Sequence, residues 1–581
     1  MDKTALLKRA EEYLQNEKDE AFASEVREII AKGDDKELED RFYRDLEFGT
    51  GGLRGVIGGG FNRMNTLVVT RATQGLADYL TEQFPTKQLS ACIAYDSRRR
   101  SRDFAYATAC VFAANGIKAY VFPTVHPTPT LSFAIRQLKA DTGVVVTASH
   151  NPPIYNGYKA YWNDGSQVVP PHDQGIIDKV AVVKVPKLMD EQEAKEKGLL
   201  VILGTELDDA YVRMVKSHLF RPELIKETSS AAKIVYTPLH GTGAALFERI
   251  MGELGLQVKT VPEQREPNGE FPTVSYPNPE EPAALKLAIE LGKKEKADVV
   301  MATDPDADRL GIAVPDKNGD FVLVTGNQLG ALHLDYILLS LEELKKMPPR
   351  PACIKSIVTT DLQVAIAKKH GVECVECLTG FKWIADMMRC FEKEGKTFVY
   401  GTEESYGHLI ETEVRDKDGI SAAALTAEMT LYWRSQGKSL LDRLEDLYRE
   451  FGFYEEKGLN KYFEGPTGME IMSGIMQGYR ENQPKAFGGV PVISIRDIKT
   501  GFSWNADGSD KTKLDLPESD VLQWRLADGT LVTVRPSGTE PKIKYYILSR
   551  TEVKNGDLEN ARKASSSKIE AIMADIKKVL G

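Results

Sequence analysis

One pattern appears three times along this chain and limits the folds open to it. Residues 91–123, "ACIAYDSRRRSRDFAYATACVFAANGIKAYVFP", pass from a short apolar run through a loop into a segment of 3.6-residue periodicity. A glycine and a second apolar run follow. Residues 233–261 and 354–378 read the same way. In each copy the periodic segment stops at a glycine (Gly116, Gly255, Gly371), where a helix C-terminus takes a left-handed residue most readily. Strand, helix and strand in that order make a βαβ unit. Three such units, widely separated, predict three similar α/β domains with mixed, mostly parallel sheets. The last stretch departs from the pattern. A helix-like segment at 468–482 precedes alternating runs at 491–498, 521–537 and 542–549, with "ADGT" as a hairpin turn and a final helical segment at 560–580. This predicts a smaller C-terminal α+β domain. The expected architecture is therefore α/β, with domains at 1–205, 206–321, 322–452 and 453–581, around a central cleft.

Bulk composition excludes several classes. A chain of 581 residues, 42% hydrophobic and 28% charged, is too long for one core and ordinary for a globular protein. A net charge of −10 argues against nucleic acid or an anionic membrane as the main partner. The arginine run "DSRRRSRD" (96–103) lacks interleaved aromatics, so it reads as a solvated or substrate-facing loop and not as an RNA surface. No stretch has the length and apolarity of a membrane span, and the first residues have no signal-peptide core. Six sparse cysteines fit a reducing compartment, and the cytoplasm is the expected location. "CVEC" (374–377) lies in an alternating run and not at a strand-to-helix turn, which disfavours a redox or zinc role.

Four loops carry the chemistry. In "VVVTASHNPP" (144–153) an apolar run ends in Ser149 and His150, and Pro152 and Pro153 stiffen the turn after them. Ser149 is a candidate nucleophile or phosphoryl carrier, and His150 a candidate proton handler. No G-x-S-x-G elbow surrounds the serine, which weakens a hydrolase reading. In "ATDPDADRLG" (302–311), Asp304, Asp306 and Asp308 alternate and can converge on one hard cation, with Arg309 beside them for a phosphate. The Gly and Glu of an EF-hand are missing, so a magnesium site with open positions fits better. "GTEESYG" (401–407) sets Glu403 and Ser405 on a glycine-bounded loop suited to sugar hydroxyls, and Lys417 follows in "RDKDG". "RPSGTEP" (535–541) offers Arg535, Ser537, Gly538 and Thr539 to a phosphate, without a Walker A pattern. One loop per expected domain suits phosphoryl transfer on a phosphorylated sugar.

Taken together, "TASHNP", "DPDADR", "GTEESYG" and "RPSGTEP", in this order and with "FGTGGLRG" (48–55) before them, resemble the α-D-phosphohexomutase family. The likeness is to its phosphoglucomutase/phosphomannomutase branch and runs from about residue 40 to 580. The resemblance implies that Ser149 is the phosphoserine and that Asp304, Asp306 and Asp308 bind one magnesium ion together with its phosphate. Arg54 and Arg309 would support the transferring group, and His150, Lys417 and Lys159 would be the acid/base candidates. Thr379, Gly380, Glu403 and Ser405 would bind sugar hydroxyls, with Arg535, Ser537, Gly538 and Thr539 on the second phosphate. Implied partners are small sugar phosphates, with glucose 1,6-bisphosphate as activator and intermediate. The implied reaction interconverts glucose 1-phosphate and glucose 6-phosphate. The alternatives are mannose or pentose phosphates on the same scaffold and, further off, a non-catalytic sugar-phosphate binder. "GTG" in the first loop, Tyr406 and Lys544 depart from common family residues and leave the sugar open, while "GTEESYGH" and the N-terminal extension look like the phosphopentomutase-containing branch.

Overall fold

A computed structural model describes residues 2–49, 51–229, 232–463, 467–537 and 542–580. Their contacts divide the chain into two compact units. The first holds Met1–Thr325, Met388–Cys390 and Ser405–Tyr432; the second holds Gly326–Met387, Phe391–Glu404 and Trp433–Gly581.

Among the described residues, two sheets lie wholly in the first unit. One runs Gly52–Val56, Tyr155–Trp162, Thr142–Val146, Ser90–Tyr95, Lys118–Val121, Leu200–Ile202 in spatial order. Its last four strands are parallel; Tyr155–Trp162 and Gly52–Val56 return antiparallel. Thr142–Val146 is central and buried throughout, as a strand covered on both faces must be. Val144 and Val146 enter one apolar cluster with the helices Thr66–Gln83 and Ser101–Ala114, whereas Val145 enters a second cluster with Leu131 and Ile135 of Thr128–Leu138. The other sheet runs Phe321–Val324, Leu310–Pro315, Val299–Thr303, Ile234–Thr237, Val258–Thr260.

The second unit carries parallel strands Glu373–Cys377, Pro351–Ser356 and Thr397–Glu403. Its C-terminal part is an antiparallel sheet in which Phe453–Tyr462, Lys542–Thr551, Leu531–Pro536 and Leu522–Leu526 are successive neighbours, packed against Leu558–Leu580 through Ile569, Ile572 and Ile576. The predicted class is thus observed: three α/β parts with mixed sheets, and a C-terminal part of antiparallel strands and helices. Gly116, Gly255 and Gly371 sit at φ +73°, +78° and +67°, the left-handed conformation expected where the three repeated helices end. CVEC lies on a strand, with its cysteines unbridged.

Three helices, Lys3–Asn16, Glu20–Lys32 and Asp35–Phe42, precede the first sheet. They grip the segment that follows strand Gly52–Val56: Glu25 accepts the Gly59 N–H at 2.7 Å and Arg41 donates to Gly59 O at 2.8 Å. A side chain at Gly59 would bring its Cβ within 2.5 Å of Phe22 O, so the contact requires glycine. Among the described residues no helix is long and apolar enough to cross a membrane.

Candidate active site

Two parallel strands of the first unit end at the predicted chemistry. Thr142–Val146 delivers Ser149, and Val299–Thr303 delivers the aspartates, both at carboxyl ends, where open α/β sheets leave crevices. Ser149 Oγ donates to Asp304 Oδ2 at 2.7 Å and lies 3.1 Å from His150 Nδ1. Its φ of +51° is a left-handed conformation that a serine holds only when its surroundings fix it. Burial, with Arg309 and Arg54 close by, pulls the His150 imidazole down to about 2, so the ring is neutral near pH 7.

One oxygen from each of Asp304, Asp306 and Asp308 lies within 4.8 Å of the others, and all three side chains are buried. Asp306 Oδ2 accepts from Lys159 Nζ at 2.8 Å and from Thr128 Oγ1 at 3.1 Å. Asp308 Oδ2 lies 3.1 Å from Lys417 Nζ and 3.5 Å from Lys159 Nζ. Among the described residues, the Oδ1 atoms of Asp306 and Asp308 are buried without a hydrogen-bond partner. Burial, then repulsion from Asp306 and Asp308, raises Asp304 well above the usual carboxylate range. Asp306 goes the other way: burial acts to raise it, but Lys159 beside it holds it low. Buried carboxylates with two bare oxygens and one destabilised anion are an oxygen-donor set that fits a hard divalent cation.

Both lysines are fixed. Burial works to lower Lys159, but Asp306 and Asp308 raise it, so it remains an ammonium. Lys417 Nζ contacts Asp416 Oδ1 at 3.1 Å, and Asp416 Oδ2 accepts from Tyr161 at 2.6 Å and Gln167 at 2.9 Å. Arg54 donates to Asn151 Oδ1 at 3.1 Å, at the serine loop. Arg309 donates to Glu280 Oε1 at 2.7 Å. The first unit therefore brings together Ser149, His150, the aspartates, Lys159 and Lys417, with Arg54 and Arg309 close to His150. Ser405 lies in the turn of the same unit that follows Thr397–Glu403.

The second unit holds Thr379, Gly380, Glu403, Arg535 and Ser537. Glu403 Oε1 accepts the Gly380 N–H at 2.7 Å, next to Thr379. Glu404, by contrast, is anchored: Ser356 Oγ reaches its Oε2 at 3.1 Å, and its N–H donates to Thr359 Oγ1 at 3.1 Å. Arg535 ends strand Leu531–Pro536 opposite Lys544 and hydrogen-bonds Tyr546. Ser537 donates its N–H to Lys542 O at 2.7 Å. Gly538 and Thr539 lie outside the described residues.

Sequence reasoning missed three contributors. Arg98, in the supposedly solvated arginine run, is 3% exposed, and its guanidinium donates to carbonyl oxygens of the serine loop. Its neighbours Arg99 and Arg100 pair with Glu270 and Asp19. Asp416 and Thr128 hold Lys417 and Asp306 and carried no motif signal beyond, for Asp416, its place beside the lysine.

The profile described as phosphoglucomutase/phosphomannomutase α/β/α domain I matches residues 45–184, domain II matches 209–319 and domain III matches 325–451. Human phosphopentomutase is 35% identical over 582 residues, covering 97% of this chain and 94% of its own. Staphylococcus epidermidis phosphoglucomutase is 36% identical over 530 residues, covering 90% and 94%. Saccharomyces cerevisiae phosphoribomutase is 35% identical over 557 residues, covering 90% and 89%. Among solved structures, the open form of Paramecium parafusin, a phosphoglucomutase, superposes with a TM-score of 0.68 at 17% identity, covering 93% of this chain and 94% of its own. With three family domains in order along a fold shared with such structures, the chain belongs to the phosphoglucomutase/phosphomannomutase family of phosphosugar mutases.

Proposed function

We propose that the protein moves a phosphoryl group between two positions of a sugar monophosphate by way of Ser149. The observation that carries this is the pairing of Ser149 Oγ with a buried carboxylate cluster that keeps two unsatisfied oxygens. A phosphorylated Ser149 donates its group to the sugar, making a bisphosphate; the sugar reorients, and its other phosphate returns to Ser149. Glucose 1,6-bisphosphate primes the cycle in this reading.

Asp304, Asp306 and Asp308 are the residues that would hold a magnesium ion. Bound there, magnesium supplies charge neutralisation to the phosphoryl oxygens. The protein's own groups do the rest. His150 and Lys159 are proposed as proton-handling groups, with the Lys159 ammonium as the donor. Lys417, held by Asp308 and Asp416, is proposed as the second proton-handling group. Arg54 and Arg309 offer bidentate donors to the group in transit. For the second unit we assign Thr379, Gly380 and Glu403 to sugar hydroxyls, as we do Ser405 of the first unit. Arg535 and Ser537, with Gly538 and Thr539 beyond the described residues, are assigned to the phosphate that does not react. We retain the four-domain division near residues 205, 322 and 452.

On the sugar, the names of relatives spanning nearly the whole chain favour a pentose 1-phosphate and pentose 5-phosphate pair over the glucose phosphates expected from the sequence. Glucose phosphates are the second reading, favoured by a relative at 36% identity. A ³¹P NMR competition decides. With magnesium and trace glucose 1,6-bisphosphate, equal ribose 1-phosphate, glucose 1-phosphate and mannose 1-phosphate are followed together. Ribose 1-phosphate is expected to convert first. Faster conversion of glucose 1-phosphate installs the second reading, and conversion of none refutes the mutase proposal.

A further inference from the structure

The serine loop has a structural deficit. Pro152 and Pro153 stiffen it but provide no N–H, and Ser149 sits in a left-handed conformation. Within the turn, Asn151 N–H reaches Ala148 O and Tyr155 N–H reaches Pro152 O, at 3.1 and 3.0 Å. Ile57 N–H donates to Ile154 O at 2.8 Å, and four further carbonyls are served by one side chain. Arg98 Nη1 donates to Pro152 O at 2.9 Å and to Tyr155 O at 3.1 Å, while Nη2 donates to Ser149 O and Asn151 O.

Arg98 is itself immobilised. Its Nε lies 3.2 Å from Asp96 Oδ2, and the Phe271 ring covers its guanidinium at 5.0 Å. Asp96 also accepts from Thr147 Oγ1 at 2.7 Å, Ser101 Oγ at 2.7 Å and Arg98 N–H at 2.9 Å. Thr147 Oγ1 in turn accepts the Ser149 N–H at 2.8 Å. The Asp96–Arg98 pair therefore braces the loop on both sides of the nucleophile, from the loop after the neighbouring parallel strand.

We propose that Arg98 is a positioning residue: its planar fork gathers four carbonyls and holds Ser149 Oγ at the reacting position, without touching substrate. This rests on the reading of Ser149 as phosphoryl carrier. Lysine cannot replace it, because an ammonium radiates three donors from a point and cannot reach four carbonyls of a turn from a plane.

The test compares wild type, R98K and S149A. Each is given ³²P-labelled glucose 1,6-bisphosphate with magnesium, and label at Ser149 is followed by peptide mapping. Steady-state turnover is then measured on the sugar 1-phosphate that wild type converts fastest. A displacement near 1 Å predicts an R98K kcat about 100-fold below wild type, with KM within about threefold, and slower labelling of Ser149. In R98A, added guanidinium ion is expected to restore at least about tenfold of the lost rate by refilling the fork's place. A raised KM at unchanged kcat makes Arg98 a substrate ligand and overturns the proposal, as does R98K turnover equal to wild type. If R98K does not fold, Asp96→Asn is read in its place, with a lowered kcat expected and an unchanged kcat contradicting the proposal. Wild type without label at Ser149 overturns the carrier reading and this inference with it. Labelled wild type with unaffected R98K overturns this inference alone.

Discussion

Each unit of the molecule holds an ionic cluster beside parallel strands, and the two are built to opposite rules. In the second unit, Lys355 is wholly buried and contacts Glu376 at 2.9 Å and Asp361 at 3.1 Å. Arg496 donates to the other oxygen of Glu376 at 2.9 Å, and Arg525 to the other oxygen of Asp361 at 2.5 Å. Among the described residues, no buried nitrogen or oxygen of these five is left unpaired. In the first unit, Asp306 and Asp308 share two lysines and, among the described residues, each keeps one bare oxygen. A closed cluster ties strands Pro351–Ser356 and Glu373–Cys377 to the C-terminal sheet. An open cluster leaves electrostatic energy that a cation can recover on arrival. The open cluster is also the more deeply buried and has more carboxylates than cations, so what marks the site is unsatisfied oxygens away from water.

Four substitutions or titrations sharpen that contrast, the strongest first. Asp308→Asn should lower kcat/KM by about three orders of magnitude, as loss of one charged group at a phosphoryl-transfer centre does. Its unfolding free energy should stay within about 1 kcal/mol of wild type, since Lys159 and Lys417 each keep another carboxylate and a like charge is removed. Lys355→Met should show the reverse. Denaturant unfolding should register a loss of about 3 kcal/mol, because two buried carboxylates lose a shared cation. Per folded molecule, turnover should be nearly unchanged.

Magnesium should stabilise wild type by about 2.7 kcal/mol at a concentration 100 times its Kd, read as a rise in melting temperature. Asp308→Asn should lose most of that gain, and Lys355→Met should keep it. Equal stabilisation of wild type and Asp308→Asn would erase the distinction between the clusters. The smallest effect concerns acid. Burial acts to raise Asp361, but Lys355 and Arg525 hold it down to about 2, and Lys355 likewise depresses Glu376. A depressed carboxyl stabilises the fold above its unfolded pKa and loses that contribution as pH falls through its folded pKa. The second unit should therefore lose on the order of 2 kcal/mol from Asp361 between about pH 4 and pH 2. In Lys355→Met, acid unfolding should lose part of that slope.

The repeat of strand, helix and glycine was legible because local rules govern it: periodicity gives the helices, and the positive φ at Gly116, Gly255 and Gly371 follows from chain reversal. The aspartates were legible for a related reason, since three alternating carboxylates after an apolar strand have few stable uses without a cation. Arg98 was not legible. It lies within a charge run of the kind that is normally solvated, and its acceptors are carbonyls more than fifty residues away, which carry no side-chain signature. Lys355 and Arg525 were hidden likewise, because their carboxylate partners lie on other strands or on a loop that leaves the sheet. The gripping of Gly59 by the N-terminal helices depends on a backbone approach that only coordinates reveal. The preferred sugar was beyond reach for another reason. Sugars that differ by a hydroxyl or a ring size differ by about 1–3 kcal/mol in a site, and loop residues such as Glu403 suit several of them.

The most direct measurement incubates the protein with magnesium and glucose 1,6-bisphosphate, maps phosphorylation by peptide mass, and then adds a sugar monophosphate. The account predicts one phosphoryl group on Ser149, discharged to the sugar within a turnover, and none on Ser149→Ala. A protein that turns over sugar phosphate with Ser149 unmodified, or with its phosphate undischarged, would contradict it.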